Sequence, residues 1–199
     1  MDLDSRNERQ GLTLALRRLL FVAVCAVCSS GCLVFSLNPG YSETTIAWEP
    51  SLVGTWIDTY DKSTVQIDRS EWRSYRIHYE HPIERGDLTG YLTVIGDERY
   101  LDVMPSRGQD HGSFLVPVHA LLRVRLDGDK LELTPLSYDW FEERVRGDKP
   151  APGLDVTMDQ KENVLITSPV DKLRDWIRTQ PGDGAMFGAS ATFTRKSGQ

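Results

Sequence analysis

The feature that most constrains the fold is an alternation of apolar and polar side chains that recurs through residues 71–126. Tyr75, Ile77 and Tyr79 share one face of an extended chain, and the residues between them are polar. Because successive residues of a strand point to opposite faces, a period of two is typical of antiparallel strands with one buried face. The longest alternating run has the apolar residues Val118, Ala120, Leu122, Val124 and Leu126.

Turn signals separate these runs at short intervals. Asp127-Gly128 tolerates the positive φ of a tight hairpin turn, and Pro105 stops a strand. We predict about seven strands between residues 53 and 134. Further strands are expected at 163–167 and 190–196. Short helices are predicted at 138–146, where Ser137 can cap the first turn, and after Ser168, which is expected to cap a helix with Pro169 at its first position. The predicted fold class is mainly β: an antiparallel meander β-barrel with two short helices.

The residues that open and close this meander carry a resemblance. Gly54-x-Trp56 begins the first predicted strand, and Arg195 lies in the last one. This combination resembles lipocalin-like β-barrels, in which the Trp plugs one end and an Arg of the last strand packs across its ring. The resemblance implies structural roles for Trp56 and Arg195. The middle of the chain has no specific lipocalin motif.

The first 32 residues have the composition of an export signal. Arg17 and Arg18 precede an apolar run at 19–28, and Ser30-Gly31-Cys32 follows. The ending resembles the bacterial lipobox, which implies that residues 1–31 are a signal peptide and that Cys32 is lipidated. A plain secretory signal and an uncleaved membrane anchor stay open as alternatives, although the run stops short of the about 20 residues that a spanning helix needs.

The resemblance to lipoproteins also implies a location. Leu33, rather than Asp, follows Cys32, which in enteric-type bacteria directs a lipoprotein to the outer membrane, facing the periplasm. Residues 32–50 are expected to be the lipidated cysteine and a tether, and residues 51–199 the barrel domain. All three cysteines of the chain lie at or before position 32, so the domain is predicted to contain no disulfide.

Composition and motifs exclude several classes of function. The formal net charge of −6 leaves no basic footprint for nucleic acid. The sequence contains no catalytic signature, so we predict neither an enzyme nor a cofactor. His78 and His81 are three residues apart in a strand and therefore face opposite sides, which disfavours a shared metal. His111, beside Asp110, is expected to be solvated.

One group of polar residues has three interpretations. His119 shares a strand face with Arg123, and Asp102 is the nearest acidic residue on a neighbouring strand. If that face turns inward, these three residues form an interior group with perturbed pKa values. A structural hydrogen-bonded cluster and an outward polar face are the alternatives.

The functional expectation follows from the fold. A barrel beside a membrane suggests a small hydrophobic ligand, with Tyr75, Ile77, Leu92 and Leu122 as the predicted apolar lining. Asp102, His119 and Arg123 are the predicted polar residues of the same ligand site. The predicted partners are the membrane, through the lipid anchor, and this small molecule. The alternative is a filled barrel that acts as an interaction module of the cell envelope without a ligand.

Overall fold

The computed structural model describes residues 33–58, 60–82, 84–106, 116–180 and 184–196. Leu33–Gln199 forms one compact unit. The predictions for the signal peptide, Cys32 and His111 concern residues outside the described part. No helix within the described ranges has the length and apolar character needed to cross a bilayer.

The elements in chain order are β1 (Val34–Ser36), β2 (Ile46–Ala47), a 3₁₀ turn (Pro50–Leu52), β3 (Gly54–Asp58), β4 (Thr64–Arg69), β5 (Ser74–His81), β6 (Glu84–Ile95), β7 (Glu98–Pro105), β8 (Ala120–Asp127), β9 (Lys130–Pro135), α1 (Tyr138–Val145), β10 (Val156–Met158), β11 (Val164–Ile166), α2 (Val170–Thr179) and β12 (Ala191–Arg195).

Eight antiparallel strands close into a barrel. Strands β3 to β9 form a meander in which each strand pairs with the next. Strand β12 pairs with β9 on one side and β3 on the other, which completes the circle. The predicted fold class, a mainly β antiparallel barrel with two short helices, is confirmed.

The segment between β9 and β12 builds a second layer. It contains both helices and the strands β10 and β11, which form a separate sheet in the order β1-β11-β10. Helix α1 begins as predicted after Ser137, whose hydroxyl accepts a hydrogen bond from Trp140 N. Helix α2 begins at Val170, and the prediction that Ser168 caps it is wrong: the N-cap residue is Pro169, and the hydroxyl of Ser168 is bonded to Asp155.

Two hydrophobic cores result from this arrangement. One fills the barrel and consists of residues such as Trp56, Tyr75 and Leu101. The other lies between the outside of the barrel and the second layer, and it includes Leu121, Phe141 and Trp176. Strand β7 is therefore buried on both faces from Tyr100 to Val103.

The prediction that residues 33–50 form a tether is wrong. Strand β1 pairs in parallel with β11, and β2 pairs antiparallel with β6. Val34, Ser36 and Gly40 are buried. Short runs of this kind have no periodicity to detect, and only the distant partner strands show that they are structured.

Hydrogen exchange distinguishes a folded segment from a tether. The amides of Ser36 and Leu37 donate to His119 O at 2.8 Å and Ile166 O at 2.9 Å. We expect both amides to be protected to the same degree as core strands, because opening them requires the second layer to detach. Exchange measured by NMR at unprotected rates in residues 34–40 would contradict this arrangement. The exposed Trp72, in the β4–β5 turn, supplies the fast-exchanging reference.

Candidate functional site

One end of the barrel is sealed by a group around Trp56. The indole Nε1 donates to Leu52 O at 2.9 Å, within the 3₁₀ turn that crosses this end. The guanidinium carbon of Arg195 lies 4.1 Å from the centre of the indole ring. Arg195 also donates to Val53 O at 2.8 Å and to Ser51 O. The two side chains therefore meet as expected, and we call this the closed end.

A second aromatic pair reinforces the closed end. Trp48 stacks on Tyr75 with ring centres 4.6 Å apart and planes 13° apart. The hydroxyl of Tyr75 accepts a hydrogen bond from Glu49 N at 2.8 Å, and burial raises its pKa. The backbone just before β3 is thus bonded to a side chain that points into the barrel.

The half of the barrel near the closed end is densely packed. Three of the residues predicted to line a ligand cavity, Tyr75, Ile77 and Leu92, are buried there. A Cβ on Gly90 would lie 2.7 Å from Ile77 Cδ1 and 3.2 Å from Leu101 Cδ1. These side chains already occupy the space beside Gly90, so the predicted lining belongs to the packed core.

The opposite half, at the open end of the barrel, is different. Apolar side chains near that end of their strands point inward but remain partly exposed. They are Tyr79 of β5, Leu88 of β6, Leu122 of β8 and Leu133 of β9. The ring of Tyr79 lies against Gly86, where an added Cβ would come within 2.7 Å of Tyr79 Cε1. Burial raises the pKa of Tyr79.

This set, which we call the mouth cluster, is the candidate ligand site. Of the four residues first predicted to line a cavity, it contains only Leu122. Leu88 and Leu133 were not singled out from the sequence. Both alternate in phase with the inward-facing residues of their strands. Assigning them to the open half of the barrel also requires knowing which strand ends lie together at that end.

A buried polar cluster lies outside the barrel wall. Asp102 Oδ1 is 2.6 Å from His119 Nδ1, and its Oδ2 accepts a hydrogen bond from Gly40 N at 2.6 Å. Arg174 of α2 donates to Gly40 O at 2.7 Å and to Thr93 Oγ1 at 3.0 Å. The cluster therefore connects β6, β7 and the residue before β8 with α2 and the N-terminal segment.

The structure corrects the interior interpretation of this group. On β8 the apolar residues Leu122 and Val124 face into the barrel, so Leu121 and Arg123 face the second layer. Asp102 and His119 contact each other as that interpretation required, but on the outer face. Arg123 is not part of this contact. It pairs with Tyr100 of β7, and its guanidinium carbon lies 4.0 Å from the centre of the Phe187 ring.

Burial determines what the polar cluster can do. The side chains of His119 and Asp102 are only 9% and 1% exposed, so a dissolved substrate does not reach them. Burial, with the nearby Tyr91 and Asp102, raises the pKa of Tyr41 to about 12. Burial also lowers the pKa of Arg174. The arrangement is that of a structural junction.

His78 and His81, whose spacing disfavours a shared metal, each lie beside an aspartate at the surface. His78 Nδ1 lies 2.9 Å from Asp87 Oδ1, and His81 Nε2 lies 3.7 Å from Asp61 Oδ2. Within the described ranges, no group of three or more potential ligand residues is arranged to hold a metal ion.

Comparison with known proteins adds no family to this geometry. No protein-family model, no curated protein and no solved structure matches the chain. The function must therefore be inferred from the barrel itself.

The buried pair of Asp102 with His119 and the exposed pair of Asp87 with His78 provide a matched test of the polar cluster. We expect Asp102→Asn to lower the free energy of unfolding by about 3 kcal/mol, because the amide cannot serve both buried donors. Asp87→Asn removes the carboxylate of a pair whose side chains are 46% and 66% exposed, and should change stability by less than about 0.5 kcal/mol. Urea denaturation measures both values. Equal effects would show that Asp102 does not hold the junction.

Proposed function

We propose that this chain is an exported lipoprotein, lipidated at Cys32, whose barrel holds a small hydrophobic molecule at its open end. The observation that carries the proposal is the mouth cluster. Its apolar side chains face the barrel interior and remain partly exposed, while the other end is sealed by Trp56 and Arg195. The signal-like residues 1–32 support export and anchoring.

The chemistry of the mouth cluster indicates the class of ligand. Leu88, Leu122 and Leu133 offer only hydrocarbon, and each Å² of apolar surface removed from water contributes about 25 cal/mol. A ligand must therefore present an apolar portion to the interior. Polar groups occur at the rim, where His81 and Asp61 lie, so a polar head would stay at the mouth. A fatty acid or a similar single-chain lipid has this character.

A filled barrel that binds protein partners is the second candidate. The dense packing around Gly90 favours it, because the side chains of Ile77 and Leu101 already occupy the space beside this residue. On this alternative, the mouth cluster is a shallow end of the core and takes up no ligand. The two candidates therefore differ in whether the folded domain takes up a ligand.

Filling the mouth should abolish ligand uptake. Native mass spectrometry of residues 33–199, isolated from a bacterial periplasm, is expected to show an added mass that is lost on denaturation. We expect Leu122→Trp to remove this mass and to weaken binding of a fluorescent fatty-acid probe at least about tenfold, a change of about 1.4 kcal/mol.

The matched control places the same residue elsewhere. Val94 is exposed and lies at the β6 end nearest the closed end, so Val94→Trp should leave uptake unchanged. A bare protein mass and no probe binding in the parent domain would reject the ligand proposal and favour the filled barrel.

The anchor has its own test. Cys32→Ser removes the thiol that would carry the lipid, so we expect the variant to leave the membrane fraction when cells are fractionated. The intact mass of the parent protein should show the added acyl groups. A Cys32→Ser protein that still partitions into membranes would favour the uncleaved helix instead.

A further inference from the structure

The small β1-β11-β10 sheet has one face turned away from the barrel. Val34, Ser36, Val164 and Ile166 are buried against the barrel layer. The alternating residues of the same two strands point the other way. Phe35 of β1 and Leu165 of β11 are outward and apolar, and Leu33 and Leu37 flank β1 in the same phase, whereas the outward Thr157 of β10 is polar.

The segment before β8 extends this face. Ser36 and His119 form a bridge in which each amide donates to the other carbonyl at 2.8 Å. Both side chains are buried, so Val118 beside His119 points outward with Val116. We call the set Leu33, Phe35, Leu37, Val116, Val118 and Leu165 the outer apolar face.

The outer apolar face is accessible and partly concave. Leu33 is 43% exposed, Leu37 39% and Val116 72%. Phe35, Val118 and Leu165 line a pocket of about 510 Å³, whose remaining wall is Asn163 and the turn at 159–161. Six large hydrophobic residues are exposed in the described part of the chain, and three of them lie on this face.

The position of Cys32 identifies what covers this face. Consecutive Cα atoms are 3.8 Å apart, and Leu33, the first residue of the face, directly follows Cys32. Residues 34–36 belong to a paired strand, so no flexible tether separates a lipid on Cys32 from the sheet. Acyl chains that are attached to Cys32 and inserted into the bilayer would therefore bring the face to the membrane surface, where the exposed leucines can leave water.

We propose that the outer apolar face lies on the lipid bilayer in the anchored protein. The inference rests on the proposed lipidation of Cys32. Val118 is two residues from Ala120, which begins β8 at the open end of the barrel. The mouth cluster therefore opens near the membrane, and its ligand is a lipid taken up from the bilayer.

Site-specific photo-crosslinking tests the contact directly. The full chain carries p-benzoylphenylalanine in place of Phe35, and the lipidated protein is reconstituted in vesicles of phosphatidylethanolamine and phosphatidylglycerol. The control replaces Gln66, an exposed residue on β4 across the barrel from β8. Irradiation should give phospholipid adducts at position 35, at least about tenfold more than at position 66, as measured by mass spectrometry.

Two further measurements keep the outcomes distinct. The same label at Leu37 should also give adducts, and thermal unfolding confirms that each labelled protein is folded. If intact mass shows no lipid on Cys32, residues 32–199 are coupled through the Cys32 thiol to a maleimide phospholipid and irradiated in the same vesicles. Loss of lipidation thus rejects the anchor, while the crosslink still reports on the face.

The overturning results are specific. Equal adducts at positions 35 and 66, or none at 35 and 37, would show that the face does not meet the bilayer. Adducts to a protein or to a second copy of this chain would assign the face to a protein interface instead.

Discussion

The structure depends on the hydrogen bonds of strand β12. A sheet with free edges leaves rows of unpaired backbone groups, and closing the barrel removes them. Here the closing strand follows a long insertion and still pairs with both β9 and β3. Its Arg195 lies over Trp56 of β3 and donates to the backbone just before it. Closure of the circle and sealing of one barrel end therefore depend on the same five-residue strand.

The insertion determines which part of the barrel wall is a surface. Where the second layer covers β6, β7 and β8, the strands are buried on both faces, and a charged residue there must find partners. Asp102 does so by accepting hydrogen bonds from His119 and from Gly40 N, and Arg174 donates a hydrogen bond to Gly40 O. A Cβ at Gly40 would lie 2.6 Å from Leu121 Cδ1. The N-terminal segment is thereby held against the barrel, and the apolar face that begins at Leu33 occupies a definite position.

The two ends of the barrel have unequal packing, and this asymmetry underlies the functional proposal. Near the closed end, aromatic rings and the 3₁₀ turn fill the interior. Near the open end, Leu88, Leu122 and Leu133 remain partly exposed, and the ring of Tyr79 fills the space beside Gly86. A barrel of eight strands is just wide enough to be filled by its own side chains or to hold one small ligand. In this barrel, side chains fill the half near the closed end, and the half near the open end has partly exposed apolar residues suited to a small ligand.

The sequence alone determined the fold class, because a period of two and the turn residues between strands are local properties. It also indicated the Trp56–Arg195 contact, through the resemblance carried by the first and last strands. The face on which Asp102 and His119 lie was decided only by tertiary structure, since alternation defines two faces without saying which is inside. The same holds for β1 and β2, which are too short to show a period and exist because β11 and β6 pair with them. The division of the barrel into a packed half and an open half also depends on which strand ends meet. That information is held in long-range contacts, and the order of residues along the chain does not display it.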